Sequence, residues 1–253
     1  MRDFNQELRD NEFRKYNYGF DIITRRYLLK EFSTHFSEGY KSSVLEVGSF
    51  DGSMTELILE YFSEIEVVEA SGEMADLVKT KFDKRVKIHQ GLIENVKIER
   101  KFDCIFLIHT LEHVDDPVSV LKLLAEKLKS TGKLFIAVPN ANALSRQIAV
   151  QMGIIESNQA VPSGEAAQGH QRTYALDTLR RDVLSSGLII NKLGGVILKA
   201  FANFQLDAAM SSGIIDLKYI DAANELARIY PDFSTSIFAV VSKPSSVVPD
   251  TLL

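Results

Sequence analysis

Cysteine is nearly absent from this chain, and so are long apolar runs and any excess of basic residues. The single cysteine, Cys104, excludes an intrachain disulfide and a cysteine metal cage. No apolar run approaches the length that crosses a bilayer, and the first residues lack the cationic and apolar pattern of a signal sequence. The formal net charge of −5 argues against binding to nucleic acid or to acidic membranes. We therefore expect a cytoplasmic protein with no nucleic-acid partner and no membrane insertion.

The composition is that of an ordinary globular protein. With 253 residues, of which 45% are hydrophobic and 25% charged, the chain can bury a substantial core. Between Val44 and Pro139, four apolar runs alternate with helical patterns, which is typical of a parallel sheet covered on both faces. We predict one α/β domain over residues 1–243 and a flexible tail over residues 244–253.

A glycine loop at the end of the first apolar run is the most informative feature. The stretch Glu46–Gly52 reads Glu-Val-Gly-Ser-Phe-Asp-Gly, and glycines at positions 48 and 52 allow the backbone to approach a ligand closely. A second apolar run ends in Glu69, 17 residues after Gly52, where a carboxylate can accept hydrogen bonds from both hydroxyls of a ribose. A tight turn followed by a solvated strand end would also account for these residues. The combination is typical of a mononucleotide-binding half.

The residues inside the loop narrow the choice of nucleoside. A pyrophosphate-binding loop needs glycine or a small residue where this chain has Phe50 and Ser53, which argues against NAD or FAD and a nicotinamide oxidoreductase. Glu46 would repel a pyrophosphate, but it suits a ligand with an ammonium or sulfonium group. S-adenosylmethionine is such a ligand.

Several segments resemble one enzyme family in the same order. Leu45–Gly52 resembles the first motif of class I S-adenosylmethionine-dependent methyltransferases, and Val67–Ala70 resembles their second. Lys101–Val114 is similar to the fourth strand and "Leu-Glu-His" turn of the branch that includes ubiquinone-biosynthesis and small-molecule methyltransferases. Leu121–Asn140 resembles the next helix and strand. The resemblance implies a Rossmann-like, seven-stranded, mostly parallel sheet with helices on both faces, whose last strand is antiparallel and lies beside the sixth.

The same resemblance implies which residues hold S-adenosylmethionine and its product, S-adenosylhomocysteine. Glu46 would lie near the ammonium group, Gly48 and Gly52 would contact the methionine and ribose portions, Glu69 would hold the ribose, and Ala70 would lie beside the adenine.

The adenine side departs from the family pattern. Many relatives have Gly-Asp-Ala where this chain has Gly91-Leu92-Ile93, so the expected carboxylate is missing at Leu92. Backbone groups of Leu92 and Ile93, or Glu94, would then contact the adenine. His109, at the end of the fourth strand, would line the cofactor pocket with its backbone near the methionine moiety.

Two histidines are the candidate catalytic residues. In-line methyl transfer depends mainly on positioning, but a hydroxyl or ammonium acceptor also needs a base, for which histidine is suited near neutral pH. His113, in the Leu-Glu-His turn, is the first choice, although it could instead be a structural residue at a helix start. His170 could contact the acceptor, close a loop or merely pack. We predict no metal site, because a helix cap accounts for Asp116 better than a magnesium ligand does.

Three segments outside the core are candidate substrate covers: an N-terminal helical cap (1–40), 141–173 and 201–230. Phe13, Tyr16, Tyr18, Phe20 and Tyr27 would form either an aromatic lid or one face of a packed helix. Within the second segment, Ser157–Gly169 is predicted to be a mobile loop, and Leu206–Ile229 to form one or two amphipathic helices.

The sequence is compatible with two functions. The first is methyl transfer from S-adenosylmethionine to an oxygen or nitrogen of a small-molecule acceptor such as a sugar, a quinone or another metabolite, by direct in-line displacement. The alternative is a non-catalytic regulatory protein that binds a nucleoside or S-adenosylmethionine on the same fold, which the unusual Leu92 would suit. The sequence leaves a homo-oligomer open.

Overall fold

A seven-stranded sheet forms the centre of the protein. The computed structural model describes residues 4–5, 19–36 and 42–244, and within them the strand order is β3-β2-β1-β4-β5-β7-β6. The strands are β1 (Val44–Val47), β2 (Ile65–Glu69), β3 (Val86–Gln90), β4 (Phe102–Ile108), β5 (Leu128–Pro139), β6 (Ile189–Leu198) and β7 (Ser234–Ser242). All residues of β1 and β2 are buried, including Glu46, Glu66 and Glu69 among the apolar residues, as expected of strands covered on both faces.

The direction of the strands confirms the predicted fold class. β1 pairs in parallel with β2 and β4, β2 with β3, and β4 with β5. β7 is antiparallel to both of its neighbours, β5 and β6. The sheet is therefore the mostly parallel, Rossmann-like arrangement that the resemblance implies, with the last strand inserted beside the sixth.

Helices cover the sheet on both faces. They are α1 (Gly19–Ser33), α2 (Ser53–Ile58), α3 (Gly72–Phe82), α4 (Pro117–Lys127), α5 (Leu144–Gln151), α6 (Ser163–Ala166), α7 (Leu176–Ser185), α8 (Asn203–Ser211) and α9 (Leu217–Ile229). The region Leu206–Ile229 thus contributes to two helices. Among the described residues, no helix has both the length and the hydropathy of a transmembrane span.

Two helix boundaries differ from the sequence pattern, which predicts a helix from Asp116-Pro117 through Lys129 and another over Thr178–Ser186 with Asp177 as its N-cap. Asp116 does cap α4, because its carboxylate accepts from the Ser119 N–H at 3.0 Å, but this helix ends at Lys127 instead of Lys129. The predicted cap of α7 at Asp177 is wrong. The Thr178 hydroxyl accepts from the Ala175 N–H at 2.8 Å, so the helix begins two residues earlier and Asp177 lies in its first turn.

Of the two alternatives for the N-terminal aromatic residues, a lid or one face of a packed helix, Phe20 follows the second. The Phe20 side chain is fully buried in the hydrophobic cluster under α1, so this residue packs a helix instead of covering a ligand. Tyr27 is partly buried, and its hydroxyl donates to Asp221 at 2.6 Å. The other three aromatic residues of this group, Phe13, Tyr16 and Tyr18, lie outside the described residues. Positions 245–253 of the predicted tail also lie outside them.

The sheet brings the predicted site residues to one edge. Parallel strands β1, β2, β4 and β5 all end there, and the antiparallel strand β7 begins there. The glycine loop follows β1, Glu69 ends β2 and His109 follows β4. This carboxyl edge is where open α/β sheets bind ligands.

Candidate active site

The glycine loop has a backbone that other residues could not adopt without strain. Gly48 and Gly52 have φ of 79° and 77°, in the left-handed region. A Cβ on Gly48 would lie 2.5 Å from Oγ1 of Thr110, whose hydroxyl donates to the Val47 carbonyl at 3.0 Å. Gly48 therefore lets the loop pack directly on the turn after β4, as a cradle for a ligand requires.

The Glu69 carboxylate closes this loop from the end of β2. Its Oε2 accepts from the backbone N–H groups of Ser49 and Phe50, both at 2.9 Å, and its Oε1 accepts from the Ser71 N–H at 2.9 Å. These bonds hold Phe50 at φ 49°, a conformation uncommon for a residue with a side chain. A carboxylate offers about four acceptor positions, so Oε1 keeps capacity for a further donor such as a ribose hydroxyl.

Glu46 is a buried acid with one unsatisfied oxygen. The Thr55 hydroxyl donates to its Oε2 at 2.6 Å, whereas Oε1 has no hydrogen-bond partner among the described residues. Burial raises the pKa of Glu46 to about 8; the Thr55 bond and the charge of Arg25 oppose this shift. An unsatisfied buried acceptor fits the predicted place for a cationic group of the methyl donor.

The raised pKa of Glu46 gives a testable pH dependence. Its pKa in the folded state is about 8, against 4.5 as the ordinary value, so the folded protein holds a proton that the unfolded chain loses between these pH values. Stability should therefore fall as pH rises from about 5 to 8. Glu46→Gln, which carries no charge, should flatten this fall by about 1–3 kcal/mol in urea unfolding across that range.

Glu56→Gln is the matched control for this experiment. Glu56 lies on the neighbouring helix α2, where its side chain is mostly exposed and pairs with Lys81 at 2.8 Å. This variant should keep the wild-type pH slope. Equal slopes for Glu46→Gln and the wild type would refute a proton held on Glu46.

Arg25 is a candidate cofactor residue that sequence reasoning missed. It lies on α1 and donates to the Ser53 hydroxyl at the start of α2. Its hydrogen bond to Ser53 places the guanidinium beside the residue that follows Gly52, and its positive charge opposes the raised pKa of Glu46 and contributes to the lowered pKa of His109. No motif marks this arginine, because it reaches the site only through the packing of a distant helix.

His109 lies where predicted, but its imidazole is suited to a structural role. Its Nε2 lies 3.1 Å from the Ser236 hydroxyl, and its backbone N–H donates to the Ala137 carbonyl at 2.8 Å. Burial, with the nearby charge of Arg25, lowers the pKa of His109 to about 3. The imidazole is therefore neutral at physiological pH, and its left-handed backbone (φ 51°) turns the chain sharply after β4.

The segment that is predicted to contact the adenine combines an exposed leucine with a buried isoleucine. Leu92 is 38% exposed, whereas Ile93 is 5% exposed and packs in the second core cluster, so the Ile93 side chain faces the core instead of the ligand. The Leu92 carbonyl already accepts from two backbone N–H groups. Near the half-buried Ala70, the Ser71 hydroxyl donates to the side chain of Asn5 at 2.7 Å, a contact that the sequence did not predict.

His113 and His170 meet at the carboxyl edge. Their ring centroids are 4.7 Å apart and the rings are nearly perpendicular, at 85°. His113 ends the short 3₁₀ turn Leu111–His113, with Nε2 4.0 Å from Oε1 of Glu112. His170 Nδ1 lies 3.9 Å from Oε2 of Glu165. Two histidines from distant segments thus form one pair, each with a carboxylate near it.

Residues 157–173, which we call the strap, carry His170 to this position. The strap is docked on the turn after β4: the Gln171 side-chain amide donates to the His113 carbonyl at 2.9 Å, and Arg172 donates to the Asp115 carbonyl at 3.1 Å. The part that was predicted to be a mobile loop includes one turn of helix, α6. Several hydrogen bonds therefore fix the strap against the sheet.

Arg146 on α5 anchors the other half of the strap. Its Nε donates to the Asn158 carbonyl at 2.8 Å, Nη1 to Oε1 of Glu165 at 2.5 Å, and Nη2 to the Ala160 carbonyl. Because Glu165 also lies near His170, the arginine supports the carboxylate beside the histidine pair.

Glu112 is a buried acid close to the His113–His170 pair. It is 1% exposed, neither carboxylate oxygen has a hydrogen-bond partner among the described residues, and burial raises its pKa to about 8. Ligand atoms of Glu112, His113 and His170 lie within 4.8 Å of one another, so these side chains could hold a metal ion, although the sequence predicts none. Asp116 is not part of this group, since it caps α4.

Comparison with known proteins identifies the family. Residues 7–192 match the family model described as a methyltransferase domain. The chain belongs to the class I S-adenosylmethionine-dependent methyltransferases. Membership of this family supports methyltransferase activity with S-adenosylmethionine as the methyl donor. It disfavours the alternative of a non-catalytic regulatory protein.

Curated relatives and solved structures agree with this assignment. The chain is 28% identical over 175 residues to the ubiquinone biosynthesis O-methyltransferase of Idiomarina loihiensis, covering 63% of this chain and 70% of that protein. It is 31% identical over 113 residues to the malonyl-[acyl-carrier protein] O-methyltransferase of Priestia megaterium, covering 44% and 41%. An S-adenosylmethionine-dependent methyltransferase of Clostridium acetobutylicum has the same fold, with a TM-score of 0.57, 14% identity and coverage of 94% and 97%.

Proposed function

We propose that this methyltransferase transfers the methyl group to an oxygen of a small-molecule acceptor, with the His113–His170 pair receiving the acceptor's proton. The pair's position at the carboxyl edge, on the turn that follows the cofactor-lining strand β4, carries this proposal. Both curated relatives described above are O-methyltransferases, which favours oxygen over nitrogen. Sugars, quinones and other hydroxyl-bearing metabolites are candidate acceptors.

Each residue of the cleft would have a separate role in cofactor binding or proton transfer. When bound, S-adenosylmethionine supplies an electrophilic methyl group on a sulfonium, so the protein's main tasks are orientation and proton removal. Glu69 would hold the ribose, Gly48 would admit the ligand's close approach, and the Oε1 atom of Glu46 would face positive charge. His113 would accept the proton and His170 would orient or relay it, because a neutral imidazole accepts a proton readily near pH 7.

Arg25 is expected to bind the carboxylate of the methionine moiety. Arg25→Gln should weaken binding of S-adenosylhomocysteine about 10-fold or more in isothermal titration, since one charge-assisted bond contributes roughly 1.5–3 kcal/mol. Methylthioadenosine, which lacks the amino-acid group, should bind the variant and the wild type equally.

Arg26→Gln is the matched control for Arg25, because Arg26 pairs with Glu60 at 3.2 Å on the exposed side of the same helix. It should leave both affinities unchanged. Equal losses for the two ligands in Arg25→Gln would argue for a purely structural role.

Turnover on acceptor panels tests the proposed reaction. Release of S-adenosylhomocysteine should depend on acceptors with a free hydroxyl, and O-methylated analogues of the same acceptors should give none. Product methylated at nitrogen would overturn the choice of oxygen. Tight cofactor binding with no turnover on hydroxyl, carboxyl or amine panels would restore the non-catalytic alternative.

A further inference from the structure

A second cavity lies at the amino edge of the sheet, on the opposite side from the cofactor loop. Its volume is ≈ 160 Å³, and it is lined where β1, β2 and β3 begin and where the chain approaches β4. Its lining includes Ser42, Glu64, Glu66, Lys84, Arg85, Lys87 and Arg100. None of them belongs to the candidate active site.

The cavity wall is positive, although the protein as a whole is negative. Four cationic side chains line it, against the carboxylates of Glu64 and Glu66. The buried Glu66 is already saturated: Oε1 accepts from Arg100 at 2.8 Å, and Oε2 from Lys87 at 3.2 Å and from His89 at 2.6 Å. Lys84 and Arg85 do not pair with Glu66, and the four cations and two carboxylates of the wall together carry a formal charge of +2.

Arg85 and Lys84 are the two lining cations that do not pair with Glu66. Neutral carbonyls hold the Arg85 guanidinium in place, with Nη2 donating to Leu59 at 2.7 Å and Nε to Ser63 at 3.2 Å. These bonds fix the direction of the guanidinium without neutralising it. Within the described part of the chain, the Lys84 ammonium has neither a hydrogen bond nor an ion pair.

A buried hydroxyl completes the cavity. Ser42 is 5% exposed and lines the cavity, and its Oγ has no hydrogen-bond partner among residues 4–5, 19–36 and 42–244. A buried polar atom without a partner is uncommon, because it forfeits its hydrogen bond to water. An anion in the cavity would accept a hydrogen bond from this hydroxyl and from the neighbouring cations.

We propose that this cavity binds a small multivalent anion of the phosphate class, with Lys84 and Arg85 as cationic ligands and Ser42 as a hydroxyl donor. The site is independent of the methyl-transfer cleft: Ser42 precedes β1, whereas the cofactor loop follows the same strand at its other end. Tetrahedral anions with several oxygens suit a fixed guanidinium, an ammonium and a hydroxyl together.

Titration of the full chain with inorganic pyrophosphate tests this proposal. The protein is first saturated with S-adenosylhomocysteine to occupy the other cleft, and potassium chloride at equal ionic strength is the reference. Pyrophosphate should bind one to one and raise the Tm beyond the chloride reference. Titration with glycerol 3-phosphate is the second arm of the experiment. Tighter binding of pyrophosphate would identify a free inorganic anion as the ligand, whereas tighter binding of glycerol 3-phosphate would identify a phosphate ester.

Single variants locate the site. Lys84→Gln and Ser42→Ala should each weaken binding of pyrophosphate about 10-fold, which corresponds to the loss of one charge-assisted contact. Lys122→Gln, which removes an exposed lysine from α4, should bind as the wild type does. Lys84 is exposed, so its variant reports on binding even if Ser42→Ala unfolds. Absence of binding at about 10 mM, or equal affinity in Lys84→Gln and Lys122→Gln, would overturn the proposal.

Discussion

Glu69→Ala should weaken binding of S-adenosylhomocysteine by about 10- to 10²-fold. One hydrogen bond from a ribose hydroxyl to the remaining acceptor position of this charged carboxylate contributes roughly 1.5–3 kcal/mol, and it would be lost. The substitution also removes the acceptor of the Ser49 and Phe50 N–H groups, so the glycine loop loses the bonds that hold its shape. Isothermal titration measures the affinity directly.

Two further variants separate ribose binding from loop support. Glu69→Gln keeps one oxygen acceptor of the same shape and should lose less affinity than Glu69→Ala. Glu56→Ala changes an exposed glutamate on α2 and should bind as the wild type does. An affinity of Glu69→Ala within about threefold of the wild type would show that the carboxylate serves only the loop.

His113→Ala should lower kcat by about 10²- to 10⁴-fold, the usual contribution of a general base. Binding of S-adenosylhomocysteine should stay within about twofold, because the proposed role concerns the acceptor's proton and not the cofactor. The pH dependence of kcat should also change, since the proton acceptor has been removed. Steady-state rates with an acceptor from the panels, measured across pH, provide the test.

Variants of His170 test whether the two histidines act as a unit. His170→Ala should reduce kcat in the same direction, and the double variant should be no slower than the slower single variant, because residues that act as a unit are not additive. His35→Ala, at the end of α1 and away from the pair, should keep the wild-type rate. A loss of stability without a change in the pH profile would assign His113 a structural role at the end of the 3₁₀ turn.

Local patterns account for the features that the sequence predicted well. Val44-Leu45, Ile65–Val68 and Cys104–Ile108 form strands because continuous apolar runs suit strands buried on both faces. Pro117 begins a helix at a position where its missing N–H is harmless. The order β5-β7-β6 came from the family resemblance, because periodicity does not determine which strands pair.

The features that the sequence did not predict arise from contacts between distant segments. Arg25 and Asn5 reach the site through packing that no local pattern encodes. The composition of Ser157–Gly169 predicts a mobile loop, and the structure adds one turn of helix and three hydrogen bonds from Arg146, which lies outside that stretch. At α7, the Thr178 hydroxyl accepts from the Ala175 N–H, so the helix is capped at Ala175, and the Asp177 carboxylate accepts from the adjacent Thr178 N–H instead.

The anchoring of the strap gives this enzyme an opportunity for redesign. Of the three groups to which Arg146 donates, the Asn158 and Ala160 carbonyls belong to the main chain, and every residue offers one. Side chains at positions 158 and 160 can therefore be exchanged while the anchoring bonds persist. If the strap borders the acceptor, libraries at these positions would alter substrate preference while leaving the methyl-donor pocket intact.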